Sequence, residues 1–218
     1  DQFHAAMLRS PHAHAYIKSI DTRAALQMPG VHAVLTGKDY DADGLGTMPS
    51  MAPYKRRDGS PMYLPHRPAI AIDRVLHVGC PGAVVIADTL DLARDAAERV
   101  EVDYGPRPAV VSAREAFEPG APQLYEDCPN NEAYFYQAGD KAATEAAFAR
   151  AAEVVEIEVV NNRVIINFME PRGCIASYDG GTERLLVQIG SQGVHQQAIR
   201  IAHSLNLPLE RVRVTTGD

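Results

Sequence analysis

The run Ala83-Val84-Val85-Ile86-Ala87 constrains this chain more than any other stretch. It is apolar without a break and rich in β-branched side chains, which fit a pleated strand and crowd a helix. A strand with no polar alternation offers no face to water, so it is expected to be buried on both sides. Asp88-Thr89-Leu90-Asp91 follows at once, supplying capping oxygens and first-turn negative charge for a helix running to about Arg99. Leu92, Ala93, Ala96, Ala97 and Val100 form its apolar stripe. Residues 100–104 then alternate as a returning strand. Strand, helix, strand predicts a βαβ or split β-α-β unit, and with no GxGxxG turn it lends nothing to a dinucleotide-binding fold.

The other expected strands of the first half lie at 3–8, 15–20 and 31–35. Residues 37–68 are punctuated by glycine and proline and read as a long surface loop. A second punctuated stretch, 105–131, carries a short helix at 112–117, with Ser112 as cap and Glu115 reaching back. A long proline-bearing connector separates two cores more economically than it crosses one, so the linker is placed at 112–131, between units at 1–111 and 132–218. In the second unit a strand is expected near 132–137. Asp140 caps a helix over 141–151, and residues 153–160 alternate as a strand. Strands at 174–178 and 185–189 flank the hairpin turn Asp179-Gly180-Gly181. Val194, Ala198, Ile201, Ala202 and Leu205 outline the best amphipathic helix of the chain, and Val212 and Val214 begin a last strand. The fold class is α+β with mixed sheets.

A net charge of −7 repels phosphate backbones, and no basic cluster exceeds Lys55-Arg56-Arg57, so nucleic acid is not an expected partner. No apolar run approaches the length of a membrane span, and Asp1-Gln2-Phe3-His4 has no signal-peptide pattern. Cys80, Cys128 and Cys174 form no CxxC pair, which argues against a zinc or iron–sulfur site built by this chain; they are expected as buried or half-buried apolar side chains in a reducing compartment.

Several polar residues invite chemistry. His12 and His14 would share one face of a strand and so could ligate zinc or copper, but no third ligand is near in sequence, and a structural role is the preferred reading. His66, His195 and His203 stand alone, and Ser191 with His195 makes no nucleophile elbow. Glu170 and Arg172, one residue apart around Pro171, would pair as ions or line a pocket at the domain junction. Gln192, after Gly190-Ser191 and at the start of the amphipathic helix, would cap that helix or donate into a site built on its first turn.

These segments together resemble a known family. Arg9-Ser10-Pro11-His12-Ala13-His14-Ala15, Ile20-Asp21, Pro29-Gly30-Val31, Val78-Gly79, the 83–87 run and Pro108-Ala109-Val110 are similar to the a/b hammerhead domain of the molybdenum hydroxylases, the superfamily of xanthine dehydrogenase, aldehyde oxidase and carbon monoxide dehydrogenase. Gly139-Asp140, Met169-Glu170-Pro171-Arg172, Ser191-Gln192 and Val212-Arg213-Val214 resemble the start of the molybdopterin-binding domain of their large subunit. The resemblance implies oxidation of an aldehyde or N-heteroaromatic substrate with oxygen from water. It implies a molybdenum–molybdopterin cofactor, [2Fe-2S] and FAD on partner subunits or domains, a homodimeric holoenzyme, and a cytoplasmic or periplasmic setting. It assigns Gln192 a hydrogen bond to an oxo ligand of the metal. Many relatives carry Gly-Glu-Pro-Val where this chain has Gly79-Cys80-Pro81-Gly82, so acidic character is lost at that corner. The family's catalytic glutamate and glycine-rich cofactor loop are expected beyond Asp218, leaving no catalytic residue and no metal ligand in this stretch. On that reading the piece is inactive by itself. The alternative is a natural short subunit that docks on a catalytic partner.

Overall fold

The computed structural model describes residues 2–50, 52–162, 164–165 and 167–217. Its first half is built on two antiparallel sheets. β1 (His4–Arg9), β3 (Val31–Thr36) and β5 (Pro81–Ala87) make the first, in the order β1-β5-β3. The unbroken apolar run is therefore the central strand, with Val85 opposite Ala6 on one side and Val34 on the other. Its faces serve two cores. Ala83, Val85 and Ala87 pack with Ala93, Ala96 and Ala97 of α3 (Leu90–Ala97), whose small side chains let the helix lie close to the sheet. Val84 faces the other way, toward Tyr40 and Ile70. Thr89 caps α3 as expected, its Oγ1 accepting the Leu92 N–H at 3.2 Å.

The returning strand does not return to that sheet. β6 (Glu101–Pro106) joins β2 (Ala15–Asp21) and β4 (Arg74–Val75) in the order β4-β2-β6. The strand–helix–strand unit is thus neither a βαβ nor a split β-α-β. β1 and β3 already occupy both hydrogen-bonding edges of β5, so β6 pairs elsewhere and lends Val102 to the first core from the second sheet. Ala15 and Val75 are fully buried in that second sheet.

Among the short elements of the first half, α1 (Arg23–Leu26), α2 (Gly37–Ala42) and β4 escaped the sequence reading. α2 opens the stretch expected to be loop throughout. The Asp39 carboxylate accepts both the backbone N–H and the hydroxyl of Thr36, each at 2.7 Å, and this local bracket starts the helix. Beyond α2 the stretch is irregular yet tied down. Lys55 bridges Pro61 and Phe135, Tyr63 N–H donates to Ala133 O, and Arg57 pairs with Glu132 at 2.9 Å. The strand expected at 132–137 shrinks to that single bridge at Phe135. The helix expected at 112–117 is a 3-10 turn, Glu115–Phe117, with Ser112 capping it at 3.4 Å.

In the second half, Asp140 caps α4 (Lys141–Arg150) as expected, but no residue of α4 is buried. The strand expected over 153–160 does not form. The stretch is irregular, with Val155 and Ile157 89% and 81% exposed, because among the described residues no strand lies beside it to accept its backbone hydrogen bonds. β7 (Cys174–Asp179) and β8 (Arg184–Ile189) form the expected hairpin, its turn closed by Gly181 N–H donating to Asp179 Oδ1 at 2.9 Å. α5 (Val194–Ser204) then carries the chain to β9 (Val212–Thr215), which lies parallel to β8. The mixed pairing is in this third sheet, ordered β7-β8-β9. Val187, Val212 and Val214 pack there against Ala202 of α5.

Cys128 is buried and Cys80 half-buried, and burial pushes both thiols up from their ordinary pKa. Cys174 departs from expectation: it lies exposed on β7, which has no buried residue. Among the described residues no helix is long and apolar enough to cross a membrane.

Candidate functional site

The parallel pair β8–β9 and its crossover helix create the setting. At their carboxyl ends both strands leave the sheet beside the start of α5, a place where backbone groups and helix N–H donors point outward. The Ser191 N–H donates to Thr216 Oγ1 at 3.3 Å, joining the two strand ends. Ser191 Oγ in turn accepts the Gly193 N–H at 3.2 Å, fixing the approach to the helix. Gly193 is the N-cap, and no side chain closes that cap. Gln192 therefore does not cap α5, which removes one of its two sequence readings.

Opposite this turn runs the segment 168–173. The two together border a cleft of about 1050 Å³, into which Glu170, Arg172, Gln192, Gln196 and Arg200 all contribute. The chain bends at Met169 and Glu170 and runs on to Gly173 without regular structure. Glu170 and Arg172 do not pair. The Arg172 guanidinium sits 5.9 Å from the centre of the Phe168 ring instead, so among the described residues these two line the cleft without an ion pair between them. Arg172 and Arg200 give the cleft positive charge, and the first N–H groups of α5 add the positive end of its dipole. The arrangement suits an anionic group held by neutral amide and cationic donors.

Residues 1–108 match the family model of the a/b hammerhead domain of aldehyde oxidase and xanthine dehydrogenase, and residues 124–218 match that of the molybdopterin cofactor-binding domain. The chain belongs to the molybdenum hydroxylase large-subunit family. It is 35% identical to the carbon monoxide dehydrogenase large chain of Hydrogenophaga pseudoflava, over 99% of this chain and 27% of that protein. It is 30% identical to the nicotinate dehydrogenase large molybdopterin subunit of Eubacterium barkeri, over 100% of this chain and 48% of that subunit. Reconstituted CO dehydrogenase from Oligotropha carboxidovorans superposes with a TM-score of 0.86 at 33% identity, covering 100% of this chain and 27% of the other. The chain thus spans about a quarter of the carbon monoxide dehydrogenase large chain it matches.

The remaining expected residues fall outside the cleft. His12 and His14 sit in a bend and not in a strand, so they do not share a face as drawn. His14 is buried with Nδ1 2.9 Å from Pro108 O, and His12 packs edge-on against Tyr104 with ring centres 4.9 Å apart. Both are structural contacts within the hammerhead domain. Among the described residues no three His, Cys, Asp or Glu side chains are grouped so as to hold a metal. The corner Gly79-Cys80 braces the same region: Ser10 N–H donates to Cys80 O, and Gly79 N–H to Ser10 O. Sequence reasoning missed Gln196 and Arg200. They follow Gln192 at four and eight residues, so the one-face spacing of the helix carried the signal.

Proposed function

We propose that this chain forms one wall of the cofactor site in a molybdenum hydroxylase whose substrate is an aldehyde or N-heteroaromatic compound and whose oxygen comes from water. The observation that carries the reading is Gln192, exposed beside an uncapped helix start in a positively charged cleft. These residues fit the group. A neutral carboxamide donates without adding charge, the helix N–H groups and Arg172 and Arg200 favour anionic oxygen, and among the described residues Glu170 is the one carboxylate on the lining. When bound, the molybdenum–molybdopterin group supplies the redox chemistry. The chain's own part is to orient that group through the Gln192 amide and the first turn of α5. Nicotinate dehydrogenase and the aldehyde oxidoreductase of Megalodesulfovibrio gigas, both relatives, favour the substrate classes named. Electrons would pass to iron–sulfur and FAD subunits or domains of a homodimeric holoenzyme. Three free thiols, Cys174 among them exposed, support a cytoplasmic setting.

The test is Gln192→Ala in the holoenzyme. Turnover is expected to fall on the order of 10- to 100-fold, as for loss of a residue that orients a metal site, with melting temperature nearly unchanged. Intact turnover with a large drop in melting temperature would refute the assignment.

A further inference from the structure

The far end of α5 is held by the other half of the molecule. After Ser204 the chain turns through Asn206 in the left-handed region, φ +52°. Leu207 N–H donates to Ala202 O at 2.9 Å and Asn206 N–H to His203 O at 3.4 Å, the paired closure that ends many helices. This leaves the Ser204 carbonyl without a local donor. The first half supplies one: Gly46 N–H reaches Ser204 O at 2.8 Å. The Tyr40 hydroxyl donates to Gly46 O at 2.5 Å and stands 3.4 Å from Ser204 O, and the Asn206 side chain donates to Gly44 O. Tyr40 is itself fixed, only 6% exposed and packed with Ile70 and Val84 of the sheet's second core. Gly46 has to be glycine, since a Cβ there would come within 2.7 Å of His203 O.

We infer that Tyr40 is a positioning residue for Gln192, acting through Gly46 and the length of α5. The inference rests on the reading of Gln192 given above. A helix of eleven residues is a stiff rod of roughly 16 Å. A carbonyl pinned at its end sets where its first turn lies, and so where Gln192, next to the N-cap, stands in the cleft. One wall of the cleft is thus referenced to the hammerhead core that holds Tyr40.

Tyr40→Phe removes the hydroxyl and keeps the ring that fills the core, so the fold is retained; Gly46→Ala pushes the loop off Ser204. In the holoenzyme, Tyr40→Phe is expected to lower kcat about tenfold with KM unchanged, because a misplaced group costs rate more than ground-state binding. Gly46→Ala should act in the same direction and more strongly. Hydrogen exchange in the same proteins should quicken at both ends of α5, at the first hydrogen-bonded amides 197–199 as well as at 204–207. Adding Tyr40→Phe to Gln192→Ala should produce no further loss, as for two residues on one line of action. Faster exchange confined to 204–207 with unchanged kcat overturns the inference, as does full additivity of the two substitutions. Normal turnover in Gln192→Ala alone overturns the cleft reading instead, and the exchange pattern at 197–199 then decides separately whether the clamp reaches the helix start.

Discussion

The run 83–87 and the stretch 153–160 both carry β-branched apolar residues, unbroken in the first and interrupted by Glu156 and Glu158 in the second, and the molecule treats them oppositely. Val85 lies fully buried in β5 with Ala6 and Val34 on its flanks. Val155 and Ile157 stand in solvent in irregular chain. Strand propensity is a statement about packing against neighbours, so the same side chains are a core in one place and an unused surface in another. The difference teaches that elements in this chain follow available partners and not sequence pattern alone.

The largest effect should come from testing that contrast directly. Val85→Asp places an unpaired charge in the core under α3 and is expected to cost several kcal/mol, enough to unfold the first half. Ile157→Asp in this chain should stay within about 0.5 kcal/mol, as for an exposed side chain. Denaturant unfolding of both variants decides. Equal losses would mean that 153–160 is packed in solution and the contrast is false.

Two capped helices sharpen the comparison at the next level down. α3 and α4 both start with a side-chain oxygen accepting an N–H three residues on, from Thr89 and Asp140. α3 buries three alanines, whereas α4 buries nothing. Thr89→Ala should lower global stability by about 1 kcal/mol, the usual value of a cap. Asp140→Ala should leave the melting transition in place and reduce helical circular dichroism, because a short helix without packing is marginal in water. A shared loss of melting temperature would show α4 to be docked after all.

The same division explains what could be read in advance. β5, α3, the β7–β8 hairpin and α5 were legible because each carries its pattern and its punctuation within a dozen residues. The pairing of β6 with β2 was not, since nothing in residues 100–104 says that both edges of β5 are taken. α2 hid because residues 37–68 read as a loop punctuated by glycine and proline, although the spacing of Thr36 and Asp39 is that of a capping box. In the cleft, Gln192, Glu170 and Arg172 were named from sequence, and the fold brings all three to one lining. Arg200 and the brace at Tyr40 were not. The first needs the helix face, and the second needs a contact between residues far apart in sequence.

The smallest effect is the one in which the two halves should agree. The Asp39 carboxyl lies below its ordinary pKa chiefly because the Thr36 hydroxyl donates to it, and the Asp179 carboxyl lies below its own chiefly because the Thr182 hydroxyl does. Both sit at the surface, one beside the packed core and one in the exposed hairpin. A depressed carboxylate pKa stabilises the fold above the unfolded value, near pH 4, and that stabilisation is lost as pH falls through the lower folded value. Solvent screening keeps the contribution small at both sites. Carboxyl chemical shifts followed through an acid titration should show both groups depressed, and Thr36→Val and Thr182→Val should each raise only the neighbouring aspartate toward its ordinary value. A hydrogen bond closed within three residues needs no partner from elsewhere in the chain, so burial should not matter to it. A depressed value at Asp39 alone would mean that even this local chemistry depends on the packed half.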